Sequence, residues 1–138
     1  KRLGEPGLTM VLLDTSTLLW LCQASSPLPA PVVKAIRSTP PTGRFVSAIT
    51  AFEIGYKFAL GKLVLSKPPL VWFPEVCAKR GLTVLPITDS IALRASALPR
   101  HHRDPADRFI ISTAQELSLT ILTPDPFLNL YDVHTLWS

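Results

Sequence analysis

Apolar positions in this chain fall into short continuous runs, separated by longer stretches in which they recur with helical spacing. Met10 to Leu13 is apolar throughout and ends at Asp14, the pattern of a strand covered on both faces of a parallel sheet. Arg44–Ala48, Leu82–Ile87, Thr120–Thr123 and Val133–Leu136 supply further strand candidates. Between them lie helical segments: Thr15–Cys22, Pro29–Ser38, Thr50–Leu60, Pro69–Arg80, a segment capped by Thr88 that runs to Leu98, and Asp104–Leu117. Gly61 and Gly81 supply C-terminal stops, and a short helix follows Asp125. Strands alternating with helices predict an α/β fold: a three-layer α/β/α sandwich around a central parallel sheet of four to five strands.

Length fits a single domain spanning residues 10–138, with residues 1–9 as an N-terminal extension or expression remnant ahead of a plausible start at Met10. A hydrophobic content of 47% and a mean hydropathy of +0.30 exclude a disordered chain. The fourteen prolines sit between apolar runs, as loop punctuation. Cys22 and Cys77 lie in apolar stretches without CxxC spacing and predict two reduced, buried thiols. The Leu8–Cys22 stretch imitates a signal peptide, but Asp14 interrupts it and no continuously apolar run reaches 18 residues. The expectation is a cytoplasmic protein without membrane contact. A net charge of +4 points weakly toward a polyanionic partner.

Candidate chemistry changes the picture more. Asp14, Glu53, Asp104, Asp107 and Asp125 all stand where an apolar run hands over to a helix. Each has a capping explanation to weigh. Asp104-Pro105 and Asp125-Pro126 pair an N-cap with proline at the first helical position, Asp107 falls in a first turn, and Thr50 with Glu53 has capping-box spacing. Asp14 fits such a reading less well, because it closes a fully apolar strand whose carboxyl end is the expected ligand crevice. Glu53 shares a helical face with Ile49, Tyr56 and Leu60, and Asp107 heads a stripe of Ile110, Ile111 and Ala114; both stripes are expected to turn inward. Desolvated carboxylates that converge need a proton or a cation between them. An oxygen-only donor set selects Mg²⁺ or Mn²⁺, which implies metal-assisted hydrolysis of a phosphate-bearing substrate.

The segments LLDTSTLLW, FEIGYKFALGKL, LPITDSIAL, ALPRHHRDPADRFIISTA and LTPDPFL, taken in this order, resemble the PIN-domain ribonucleases, with the nearest likeness to the VapC-like toxins of bacterial type II toxin–antitoxin pairs. The resemblance covers Met10 to Trp137. It implies that Asp14, Glu53, Asp107 and Asp125 form an acidic metal-binding quartet, with Asp104 as a helper or N-cap. It further implies a Mg²⁺- or Mn²⁺-dependent endoribonuclease acting on tRNA or mRNA, a homodimer, and a cognate antitoxin that occupies the active-site groove. Three departures stand out: Ser16 where the toxins often carry His, PADR in place of PFDR, and Pro124 before the fourth acid.

Around the quartet, Ser16, Arg103 and Arg108 are candidate contacts to substrate, Ser16 through its hydroxyl and the arginines through bidentate phosphate contact. Arg108 could equally pair with a neighbouring carboxylate, Ser16 could be a helix-start hydroxyl, and His101 and His102 are expected on an exposed loop. Lys57 and Lys62 read as solvated surface with RNA contact as the competing role. Trp20, Trp72 and Trp137 are expected in the core or a dimer interface, and Trp72 with Phe73 as a candidate antitoxin or dimer surface. Two other classes compete with the nuclease. One is a catalytically silent PIN-like module that binds RNA or protein. The other is a phosphoryl-transfer protein using Asp14 as acceptor, for which the second acid is missing at Ser16.

Overall fold

The computed structural model describes residues 10–23, 28–101 and 103–138. Expectations for residues 1–9 and for His102 fall outside this range. Five strands, β1 (Val11–Leu13), β2 (Arg44–Ser47), β3 (Thr83–Leu85), β4 (Thr120–Leu122) and β5 (His134–Leu136), pair in parallel in the order β3-β2-β1-β4-β5. Among the described residues the α-helices are α1 (Thr15–Leu21), α2 (Ala30–Ser38), α3 (Ala48–Ala59), α4 (Pro69–Arg80), α5 (Asp89–Ala97) and α6 (Pro105–Leu117). The α/β sandwich expected from the pattern is the fold observed.

Strand periodicity divides the core into two layers. Val11, Leu13, Val46 and Leu122 face one way, onto Leu18 of α1, Val32 and Ile36 of α2, Ile54 of α3, and Trp72, Phe73 and Cys77 of α4. Leu12 and Ile121 face the other way, onto Ile110, Ile111 and Ala114 of α6, with Leu98, Leu128 and Tyr131. Both faces of the central strands are therefore dry, which is why their sequences are continuously apolar rather than alternating. Trp72 and Phe73 are buried members of the first layer, so their assignment to a partner surface is corrected. Burial pushes the Cys77 thiol up to about 11, and the half-buried Cys22 thiol is raised too. No helix among the described residues is long and apolar enough to cross a membrane.

Element ends depart from expectation for local reasons. Helix α3 starts two residues earlier than Thr50 because Ser47 caps it, its Oγ accepting from the Ile49 amide at 3.1 Å. The capping-box reading weighed for Thr50 and Glu53 is thereby excluded, and both side chains are released for other contacts. Strand β3 ends at Leu85 rather than Ile87, since Pro86 has no N–H to continue the ladder. Helix α6 ends at Leu117 as expected, and its C-cap Ser118, with φ of 56° and ψ of 51°, is a non-glycine residue in the left-handed region. Ser118→Gly is expected to stabilise the protein by about 0.5–1 kcal/mol, measured as a higher urea midpoint at unchanged slope. A lower midpoint would contradict this account.

Candidate active site

Sheet order fixes where the site lies. Chain connections run from β1 to β2 to β3 on one side, then return to β4 and β5 on the other, so the direction of winding reverses between β1 and β4. In open parallel sheets, ligands bind at the carboxyl ends of the strands beside such a reversal. Leu13 is in register with Val46 of β2 and Leu122 of β4, so the next residues, Asp14, Ser47 and Thr123, stand at one level. Asp14 and Asp125 flank the reversal itself.

Asp14 is 6% exposed and is also the N-cap of α1. Its Oδ1 accepts from the Thr17 amide at 2.9 Å, with Thr17 Oγ1 at 2.7 Å, and its Oδ2 accepts from Thr123 Oγ1 at 2.5 Å. Thr17 Oγ1 is equally close to the Leu122 carbonyl and has only one proton to give. The capping role that the sequence made least plausible for Asp14 is therefore real, and it coexists with a position in the crevice. Burial raises its pKa above 3.8; the Thr123 and Thr17 hydrogen bonds oppose the rise, and the charge of Asp125 adds to it.

Glu53 lies half-buried on α3 and reaches α1. Thr15 Oγ1 donates to Glu53 Oε1, and Thr50 Oγ1 stands 3.0 Å from Thr15 Oγ1. An ionised carboxylate can only accept, so the order of donation runs Thr50 to Thr15 to Glu53. Burial raises the Glu53 pKa above 4.5, opposed by the Thr15 hydrogen bond and by Lys57, while Asp104 and Asp14 push it further up. The expected reason for its burial is corrected. Tyr56 and Leu60, on the stripe thought to turn inward, are more than half exposed, and the inward face of α3 is Thr50 and Ile54.

Asp107 is half-buried in the first turn of α6, above the buried Ile110, Ile111 and Ala114, as its stripe predicts. Asp104 is the N-cap of the same helix, its Oδ1 accepting from the Ala106 amide at 2.9 Å. Asp125 caps the 3₁₀ helix Pro126–Leu130 through the Phe127 amide at 2.9 Å, while its own amide donates to Thr123 Oγ1 at 3.1 Å. Thr123 thus joins the two acids that flank the sheet reversal. Sequence reasoning missed this set of threonines (Thr15, Thr17, Thr50 and Thr123). Thr15 adjoins Asp14 in the sequence and the other three lie two or three positions from an acid, but only the fold shows that all four are buried hydroxyls needing partners.

These residues suit a hard divalent cation in chemical kind. The donors are oxygen only. Asp14 has about four acceptor positions, of which at most three meet a protein donor. Among the described residues, no three acids, histidines or cysteines stand close enough together to hold a metal ion by themselves. Mg²⁺ keeps several waters and takes one or two carboxylates together with substrate phosphates, so a closed cage is not what it requires.

The remaining candidates separate by position. Ser16 is exposed in the first turn of α1, and Arg103 is exposed just before Asp104. Arg108 reaches across to the end of α5, where its guanidinium donates to the carbonyls of Pro99 at 3.0 Å, Ala95 at 2.9 Å and Leu98 at 2.8 Å. This fork supports the loop that leads into Asp104. Arg108→Lys is expected to cost about 1–2 kcal/mol in thermal unfolding, since one ammonium cannot span three carbonyls; an unchanged midpoint would contradict it. His101 is exposed and meets Tyr131 edge-on at 5.2 Å. Trp20 and Trp137 are half-buried against each other at 5.5 Å.

With this geometry in place, comparison with known proteins is informative. The family model described as PIN domain matches residues 11–132. No match was found among curated proteins. Among solved structures, the chain is similar to FitAcB from Neisseria gonorrhoeae, with 26% identity, a TM-score of 0.63, and 92% of this chain and 96% of that chain covered. It is also similar to DNA-bound VapBC from Salmonella typhimurium, with 18% identity, a TM-score of 0.66 and coverage of 94% and 98%. VapBC-1 from nontypeable Haemophilus influenzae gives 19% identity, a TM-score of 0.62 and coverage of 91% and 96%. The match to the family model runs from the first strand past the fourth acid, and the chain belongs to the PIN-domain family.

Proposed function

We propose that this protein is a Mg²⁺- or Mn²⁺-dependent endoribonuclease, the toxin of a type II toxin–antitoxin pair, with Asp14, Glu53, Asp107 and Asp125 holding the ion. The observation that carries this reading is the arrangement at the sheet reversal of a PIN domain. There, Asp14 is buried at the end of β1, held by Thr17 and by the same Thr123 that binds the Asp125 amide. The chemistry such an ion supplies when bound is Lewis acidity, which activates water for attack on phosphorus and neutralises charge on the leaving oxygen.

The chain's own residues set the stage for that chemistry. Thr17 and Thr123 fix the plane of the Asp14 carboxylate, and Thr15 fixes Glu53, so neither acid needs to reorganise when substrate arrives. The N-termini of α1 and α6 lie beside these acids and favour the negative charge of a phosphodiester. One solved structure of this fold is a toxin–antitoxin complex from Klebsiella pneumoniae, which supports a cognate antitoxin as the natural partner. A homodimer and a cytoplasmic site of action belong to the same reading.

Purified protein incubated with total RNA and with tRNA, in Mg²⁺, Mn²⁺ or EDTA, tests the proposal. Internal cleavage is expected with either ion and none in EDTA. Absence of cleavage under both ions would leave the PIN-like binding module as the surviving description.

A further inference from the structure

Two large rings stand exposed beside the acids. Phe52 and Tyr56, one turn apart on α3, stack with centroids 5.7 Å apart and planes 11° from parallel. They are 63% and 56% exposed, although neither fills a core position. Both line a shallow cleft of about 220 Å³ whose other walls include Glu53, Lys57, Asp104 and Pro105. Across Pro105 lies a second cleft, of about 600 Å³, between α5 and α6, lined by Ser96, Arg100, Arg103 and Arg108. Pro105 lines both. The cleft that holds the rings together with Glu53 and Asp104 therefore adjoins, through Pro105, a cleft lined by three arginines.

We propose that Phe52 and Tyr56 form a stacking platform for one unpaired base of a single-stranded RNA, placed next to Glu53, with the adjoining phosphates passing over Pro105 to Arg100 and Arg103. Stacking on an aromatic face tolerates any base, and arginines along the backbone path add salt-dependent affinity. A base inside a duplex is already stacked on its neighbours, so the platform selects single strands, loops and bulges. Beyond the Glu53 and Asp104 carboxylates of this cleft lie cations, Lys57 and Lys62 exposed on and just beyond α3 and two arginines beyond Pro105, which match a polyanion better than an apolar helix. The first cleft is also smaller than the pockets that enclose drug-sized ligands, and suits one planar group laid against an open wall. The inference rests on the RNA substrate class of the function proposed above, but not on cleavage.

The test uses the full chain in EDTA and a short single-stranded oligoribonucleotide carrying 2-aminopurine, whose fluorescence is quenched on stacking. Wild type is expected to quench it. The double variant Phe52→Ala/Tyr56→Ala should lose the quench and weaken Kd by about 5- to 100-fold, whereas Phe52→Tyr/Tyr56→Phe should retain both. Arg100→Gln and Arg103→Gln should keep the quench and each lower the salt slope by about 0.7. Thermal melting checks folding; because both rings are largely exposed, the double variant should melt as wild type does. An unchanged quench and Kd in the double variant would overturn the platform, as would equal competition by duplex RNA. So would loss of antitoxin binding with RNA binding intact, which would make this face a protein surface. Quenching without cleavage in Mg²⁺ would support the platform while removing the nuclease reading, so the two fail separately.

Discussion

Asp14→Asn is expected to lower RNA cleavage about 100-fold or more while leaving the melting temperature unchanged or higher. The two effects have opposite signs for one physical reason. Asp14 is buried, and its carboxyl pKa is raised above 3.8 chiefly by desolvation. A group whose pKa is raised on folding holds its proton more tightly in the folded state. Its contribution to stability is therefore full below the unfolded value and is lost as pH rises through the folded one. At neutral pH the ionised side chain works against folding, and the neutral amide removes that burden. Asparagine keeps an acceptor for the Thr17 amide and presents an NH₂ toward Thr123, whose hydroxyl can turn to accept. What it lacks is the negative charge needed to hold a hard cation, and one misplaced electrostatic group commonly costs two to three orders of magnitude in rate (about 10²–10³). Cleavage kinetics and a melting curve on the same preparation check both halves. A variant that melts well below wild type yet still cuts RNA would show that Asp14 is a structural cap and nothing more.

Adding Mg²⁺ or Mn²⁺ to metal-free protein near pH 7.5 is expected to raise its unfolding free energy by about 2.7 kcal/mol at 100 times Kd. Glu53, raised above 4.5 mainly by burial, adds to the strain that Asp14 contributes, and the charge of Asp14 pushes the Glu53 pKa further upward. Without a cation, their joint contribution to stability falls as pH rises from 3.8 and 4.5 toward the raised folded values. A cation binds the deprotonated acids, so its stabilisation should appear over the same window and be absent below pH 4. Melting curves at pH 4, 6 and 7.5, each with and without Mn²⁺, measure this directly. The expected record is a divalent-ion shift that grows with pH in wild type and collapses in Asp14→Asn. A pH-independent shift shared by the variant would place ion binding elsewhere on the molecule.

The outline of this site was legible because sheet geometry concentrates meaning at strand ends. A run as apolar as Met10–Leu13 has to be covered on both faces, so the first polar residue after it, Asp14, had to stand at a sheet edge where helices begin. The capping expectations for Asp104 and Asp125 hold for an equally local reason, since each precedes a proline at the first helical position. Helix α3 was harder. Its sequence is apolar on more than one side, so spacing alone could not say whether the Tyr56 and Leu60 stripe or the Ile54 side met the sheet. The same ambiguity hid Trp72 and Phe73 in the core. The threonine partners were out of reach for a different reason. Thr15 meets Glu53 across 38 residues of chain and Thr123 meets Asp14 across 109, and no local pattern encodes a pairing at that separation.

That last separation has a bearing on how the protein is made. The Asp14 carboxylate acquires Thr123, and the level partner that carries Asp125, only after β4 has docked beside β1. During synthesis, β1, β2 and β3 can assemble while the returning half of the sheet is still to emerge, and contacts of such long range form late. A ribosome partway through the message therefore carries an acidic strand end without its second wall. If the finished protein cuts RNA, its own translation is protected by topology: the hazard begins only when the chain has closed over the place where it started.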